Sequence, residues 1–255
     1  MKNFTAMPKM RLGFTMWLIG MVGVLSLLFI LPALLRNQPI SLPIWVVYLI
    51  QLVQSGIILA VAVWVGVAFA HKVNLFSPCI EALVTKKSFF EKLHPQLGPA
   101  CLGGFIVGVL LIGMSFVTPH ELLSVVTKDI NPILKIFTEV LYGGVTEEIL
   151  LRWGVMTLIL WLLWRLIQAN ENIPSSNLVW IAIIASSLLF SLAHLPAAYI
   201  LAGHLTFSIF AYVVVGNTVA GIMFGFLYQR FGLESAMIAH ALAHLVADAI
   251  ILVLH

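Results

Sequence analysis

Seven apolar stretches separated by short polar connections take up most of this 255-residue sequence. They run at about 12–35, 44–70, 97–118, 141–167, 178–196, 205–228 and 234–254, close to or above the roughly 20 residues a helix needs to cross a bilayer. Lipid offers the backbone no hydrogen bonds, so stretches of this kind must pair their own amides and carbonyls, as helices do. Hydrophobic residues make up 62% of the chain and its mean hydropathy is +1.09. A soluble domain holds about 45–50%, and one globule could not hide the excess from water. The expected fold is all-α: a polytopic transmembrane helical bundle forming a single membrane domain over 1–255. No internal repeat, low-complexity tract or linker divides it.

The fourth stretch is the hardest to bound, since apolar character runs from Ile133 to Ile167. Pro132 marks an upstream break and Lys135 and Glu139 are spaced i,i+4. Residues 133–140 are therefore expected at the interface, with the span starting near Leu141. Residues 72–96, the longest polar segment, read as an amphipathic surface helix plus loop. The first 11 residues resemble a signal-peptide n-region, but about 24 apolar residues follow with no small-residue cleavage site before Pro32. That pattern implies a retained anchor.

The net charge of +3 is modest and its carriers sit between spans, which points to topology and away from nucleic acid. Lys2, Lys9, Arg11, Lys72, Lys86, Lys87, Lys92, Arg165 and Arg230 fall on one side; Arg36, Lys128 and Lys135 fall on the other. By the positive-inside rule the N-terminus is cytoplasmic, in an integral multi-pass protein of the cell or inner membrane. The two cysteines, Cys79 and Cys101, belong to no metal or redox spacing and read as inert thiols.

Only 9% of the residues are charged, yet Glu147, Glu148 and Arg152 lie within one apolar run. Each costs about 2.5–3.5 kcal/mol to insert at a helix centre, so an intramembrane cluster of this kind marks a functional site. Glu148 and Arg152, at i,i+4, meet on one face of a helix. Glu147 points elsewhere, so one carboxylate can be held by the guanidinium while its neighbour faces a cavity as a general base. A purely structural charge cluster or an ion pathway is the competing reading. In the fifth stretch, Phe190-Ser-Leu-Ala-His194-Leu-Pro196 places an imidazole beside a proline that opens the backbone. The seventh carries His240, His244 and Asp248 on one stripe. Two histidines at i,i+4 also match the helical half of a zinc site. The glutamate of a His-Glu-x-x-His motif is missing, because positions 241–243 are Ala-Leu-Ala. Asp248 reads as a catalytic carboxylate or an outer partner, and Asn217 as a helix–helix hydrogen-bonding residue outside the site. No serine or cysteine sits at a nucleophile position.

The ordered set Glu147-Glu148-x-x-x-Arg152, Phe190-x-x-x-His194 and His240-x-x-x-His244 resembles the motifs of the CAAX-protease and bacteriocin-processing family, intramembrane endopeptidases related to the type II CAAX prenyl endopeptidase. The resemblance covers roughly 140–250, the expected catalytic helices. It implies peptide-bond hydrolysis in membrane-associated substrates, lipidated or leader-type ones being among the candidates, by a glutamate-activated water. In that scheme Glu147 and His194 activate the water, His240 and His244 donate to the oxyanion, and Glu148 and Arg152 support them. No cofactor is required, with zinc as the alternative. The lipid bilayer is the other partner. One departure stands out: the family usually has Asn, sometimes Asp, where this chain has His244. That substitution also favours a zinc-dependent variant or a non-catalytic scaffold or immunity-type protein. A solute carrier using the buried acids and imidazoles as a relay is a further alternative, although the inverted repeat of many carriers is missing. His194 lies nearer its span's end than His240 and His244 do, so convergence requires a broken or tilted helix.

Overall fold

The computed structural model describes residues 7–35, 41–122 and 131–254. Lys2, Arg36 and Lys128, used in the charge count above, lie outside the described residues. Among those described there is no β-strand, and seven helices are long and apolar enough to cross a membrane.

Helix α1 (Lys9–Ser26) passes through a tight turn at Leu27–Phe29 into a short α2 (Leu31–Leu35). The first span thus stops earlier than the expected 35. Pro32, which has no N–H to continue the ladder, sits in the first turn of α2. Helix α3 (Ile44–Phe69) is followed by a 3-10 turn and the short α4 (Pro78–Val84). Helix α5 (Phe89–Ser115) starts eight residues before the expected 97, so residues 89–96 belong to a span helix and not to a surface loop. Ser88 caps it by accepting from Glu91 N–H at 3.3 Å, and the helix continues through Pro95 and Pro99.

Helix α6 (Pro132–Ile167) is continuous over 36 residues. The expected interfacial segment 133–140 is its first turns, not a separate element. Helix α7 (Ser176–Ala193) ends at His194, and α8 (Leu195–Ala202) restarts with Pro196 in its first turn. Helices α9 (Phe207–Phe231) and α10 (Leu233–Leu254) meet at Gly232, whose φ of 114° suits glycine.

Small residues set the helix crossings, as expected where lipid removes the hydrophobic drive and close packing must supply the attraction. Helix α5 lies on α10 through Gly104 and Gly108, whose bare Cα atoms face the backbones of Ala239 and Ala243. Helix α6 is fastened to α1 by Thr146 Oγ1 donating to Gly20 O at 2.6 Å and Thr138 Oγ1 donating to Ser26 O at 3.1 Å. Large apolar side chains such as Trp64, Leu102, Phe105 and Val219 point outward.

The start of α10 is held by a buried carboxylate. Glu234 Oε1 accepts from Ser77 Oγ and from the N–H groups of Cys79 and Ile80 at 3.0 and 2.9 Å. Beside it, burial pushes the Cys79 thiol up to about 12, with the nearby Glu234 charge adding to the shift. The far end of α10 carries Asp248, bound to Lys135 at the start of α6. The first anchor ties α10 to the start of α4 and the second ties it to α6, and the histidines lie between them.

Candidate active site

Along α6 the backbone widens into i→i+5 geometry over Glu139–Glu147 and again over Ile149–Met156. Such turns are rare and occur mostly at functional sites. No sequence pattern announced this one. The widened segment carries Glu147, Glu148 and Arg152 as well as Glu139, and Glu147 and Glu148 diverge to different partners.

Glu148 is fully buried between two helices. Its Oε2 accepts from Arg152 Nε at 3.1 Å, and its Oε1 lies 2.8 Å from His240 Nδ1 on α10. An ionised carboxylate only accepts, so His240 Nδ1 carries a hydrogen. Arg152 is likewise fully buried. Its Nη1 and Nη2 have no hydrogen-bond partner among the described residues, and its guanidinium stands 5.7 Å from the centroid of the Phe190 ring, a cation–π distance.

Glu147 faces α7. Its Oε1 is 4.0 Å from His194 Nε2, and both side chains are partly exposed, at 17% and 34%. The break between α7 and α8 turns His194 inward: its Nδ1 sits 2.8 Å from Phe190 O. Phe190 ties the halves together, with its ring edge-on to His194 at 4.5 Å and to His240 at 6.2 Å. The spacing Phe190-x-x-x-His194 therefore serves both histidines. On its other side the His240 ring stacks on Phe224 at 4.5 Å.

His244 follows one turn after His240, with their Nε2 atoms 3.2 Å apart. Its Nδ1 is 3.6 Å from Glu139 Oε2. Gly143 of α6 lies across from both rings, where a Cβ would be 3.3 and 3.4 Å from the two Nε2 atoms. A cavity of about 180 Å³ between α5, α9 and α10 is walled by His240, His244, Phe224, Tyr212 and Asn217. Asn217, set aside from the sequence, thus borders the histidines, although its Nδ2 donates to Val213 O at 2.8 Å.

The six residues singled out from the sequence fall into two adjoining groups, Glu147–His194 and Arg152–Glu148–His240–His244. Sequence reasoning gave Lys135 and Glu139 an interfacial role. Here Lys135 Nζ is 2.9 Å from Glu139 Oε1 and 2.7 Å from Asp248 Oδ1, beside His244. The i,i+4 spacing and the α10 stripe were both visible signals, but nothing local showed that they meet.

Glu139, His244 and Asp248 offer three donor atoms within 4.8 Å of one another, a set able to hold a metal ion. Lys135, however, already places its ammonium against both carboxylates. While that lysine is charged, the set does not fit a resident cation.

Residues 129–246 match the sequence model of a family described as type II CAAX prenyl endopeptidase Rce1-like. No curated protein and no solved structure matches the chain.

Proposed function

We propose, from the match of residues 129–246 to the type II CAAX prenyl endopeptidase Rce1-like family, that the chain hydrolyses membrane-associated substrates by a glutamate-activated water. The observation that carries this reading is the pairing of Glu147 with His194. Among the described residues His194 Nδ1 pairs with a carbonyl oxygen, which can only accept, so Nδ1 carries the hydrogen and neutral Nε2 offers a lone pair. That lone pair and a carboxylate oxygen lie 4.0 Å apart. The gap is too wide for a direct hydrogen bond, and one water set off the line can bridge it. Two acceptors grip both hydrogens of such a water and leave its oxygen lone pairs free for attack.

The reaction follows from that arrangement. Glu147 takes a proton as the water oxygen bonds to the scissile carbonyl carbon, and the carbonyl electron pair moves to oxygen. An N–H on the His240–His244 pair stabilises the oxyanion. Collapse breaks the C–N bond, and the proton held by Glu147 passes to the leaving nitrogen. A positioned base contributes about 10²–10⁴-fold, and one preorganised oxyanion donor about 10²–10³-fold. Glu148 and Arg152 orient His240 from behind and touch no substrate. The substrate is a membrane-anchored peptide or protein, lipidated or carrying a leader segment.

Purified protein in liposomes, given a panel of fluorogenic lipidated and leader-type peptides, provides the test. Wild type cleaves at least one substrate, chelator leaves the rate unchanged, and Glu147→Gln and His194→Ala each lose at least about a hundredfold. Normal cleavage by either variant removes the glutamate mechanism. Loss of activity on chelation, restored by zinc, replaces it with a metal-dependent one.

A further inference from the structure

From Glu148 to Glu139 runs a line of proton-carrying groups: Glu148 Oε1 to His240 Nδ1 and His240 Nε2 to His244 Nε2 at hydrogen-bond distances of 2.8 and 3.2 Å, then His244 Nδ1 to Glu139 Oε2 at an ion-pair distance of 3.6 Å. Each of the three gaps sets two potential acceptors against each other and needs one hydrogen between them. Two neutral imidazoles supply two hydrogens. The last gap, longer than a hydrogen bond, still faces a lone pair with a carboxylate unless a third is present.

Charge points the same way. Arg152 and Lys135 carry two positive charges against three negative ones on Glu148, Glu139 and Asp248, with Glu147 a fourth one residue from Glu148. Uncompensated negative charge within the membrane-spanning helices is costly, and an additional proton on this line reduces it. Exposure grades along the line as well, from 0% at Glu148 and 6% at His240 to 25% at His244 and 26% at Glu139.

We propose that His240, His244 and Glu139 share one proton beyond those of two neutral imidazoles, and that Glu139, clamped by Lys135 and Asp248, is the positioning residue that keeps it there. The shared proton lets the imidazole pair keep an N–H for a substrate oxyanion while His240 stays bonded to Glu148. That catalytic meaning rests on the proposed reaction. The proton count does not, and it is measurable without substrate.

The experiment is ¹⁵N NMR of histidine-labelled full-length protein in nanodiscs at neutral pH, with resonances assigned by single substitutions, alongside infrared difference spectra for the Glu139 carboxyl. In wild type the pair shows three protonated nitrogens out of four, or two together with a protonated Glu139. Glu139→Gln removes the group that holds the proton, so the third proton is lost and the pair shows two protonated nitrogens; Asp248→Asn also leaves two, with Glu139 ionised. Glu139→Asp retains the third proton. Two protonated nitrogens with an ionised Glu139 in wild type overturn the proposal. So does Zn²⁺ that binds wild type stoichiometrically and shifts His244, because the cluster is then a cation site. If cleavage is never detected but the third proton is, the proton path stands and the proposed reaction falls alone.

Discussion

Glu148 Oε1 and His240 Nδ1 lie 2.8 Å apart although 92 residues separate them in sequence. The contact joins α6 to α10 and, through Arg152, places a fully buried ion pair behind the imidazole. It fixes which nitrogen of His240 carries hydrogen and therefore which one faces His244.

Removing one member of a buried pair leaves the other charge bare, at a cost of about 3–5 kcal/mol. Glu148→Ala should therefore lower the unfolding midpoint in detergent markedly, and activity with it. Replacing both members, Glu148→Leu with Arg152→Leu, should recover much of the stability and none of the activity. Thermal unfolding of the two single variants and the double variant forms the cycle. Additive losses would mean that the two side chains are not coupled as their 3.1 Å contact implies.

Gly143 and Gly144 adjoin in sequence but face different neighbours. A Cβ at Gly144 would lie 2.7 Å from Ala241 Cβ and 3.0 Å from its Cα, so Gly144→Ala forces two backbones apart and costs about 1–3 kcal/mol by overpacking. A Cβ at Gly143 meets first the ring edges of His240 and His244, at 3.3–3.4 Å, which a shift of a few tenths of an ångström relieves. Gly143→Ala should keep the unfolding midpoint near wild type while reducing kcat. Measuring both quantities on both variants checks the contrast, and an equal loss of stability at Gly143 would contradict it.

Much of this was legible in the sequence, for identifiable reasons. Apolar length specified the spans, because lipid leaves the backbone few options. Buried charge specified Glu147, Glu148 and Arg152, and helical periodicity put His240 and His244 on one stripe. Pro196 announced the break that turns His194 inward. The misses arose where local rules compete. Pro95 and Pro99 were compatible with a helix start near 97, but the capped helix begins at Phe89. Lys135 and Glu139 satisfy each other at i,i+4 and so looked self-contained; their contacts to Asp248 and His244 lie across helices. The widened turns of α6 leave no residue pattern to read.

Cys79 offers a probe of the anchor at the start of α10. Its thiol is buried and stays protonated up to about 12, against about 8.5 in an unfolded chain. Below 8.5 neither state ionises and stability is independent of this group. Between 8.5 and 12 the unfolded chain releases a proton that the folded one retains, so stability falls as pH rises. At pH ~8 roughly one folded thiol in 10⁴ is a thiolate, and a water-soluble maleimide should leave Cys79 unlabelled until the protein unfolds. Mass spectrometry of native and denatured samples reads this directly. Glu234→Ala, which removes the acceptor for Ser77, Cys79 and Ile80, should let labelling occur in the native state.

His244 is where this chain departs from the motifs it resembles. His244→Asn supplies the residue usual at that position. The shorter amide can still donate toward an oxyanion, but it has no second ring nitrogen to reach Glu139. His240, in contrast, is the ring that Glu148 holds in place. His240→Ala should therefore lose about 10²–10³-fold in kcat, the value of one preorganised oxyanion donor. His244→Asn should stay within about tenfold of wild type, since the donor it removes is replaced. It should also make turnover insensitive to Glu139→Gln, because the imidazole that links Glu139 to His240 is gone. Rates for the two single variants and for His244→Asn combined with Glu139→Gln decide the matter. If Glu139→Gln slows the Asn variant as strongly as it slows wild type, Glu139 acts on the reaction by a route other than His244.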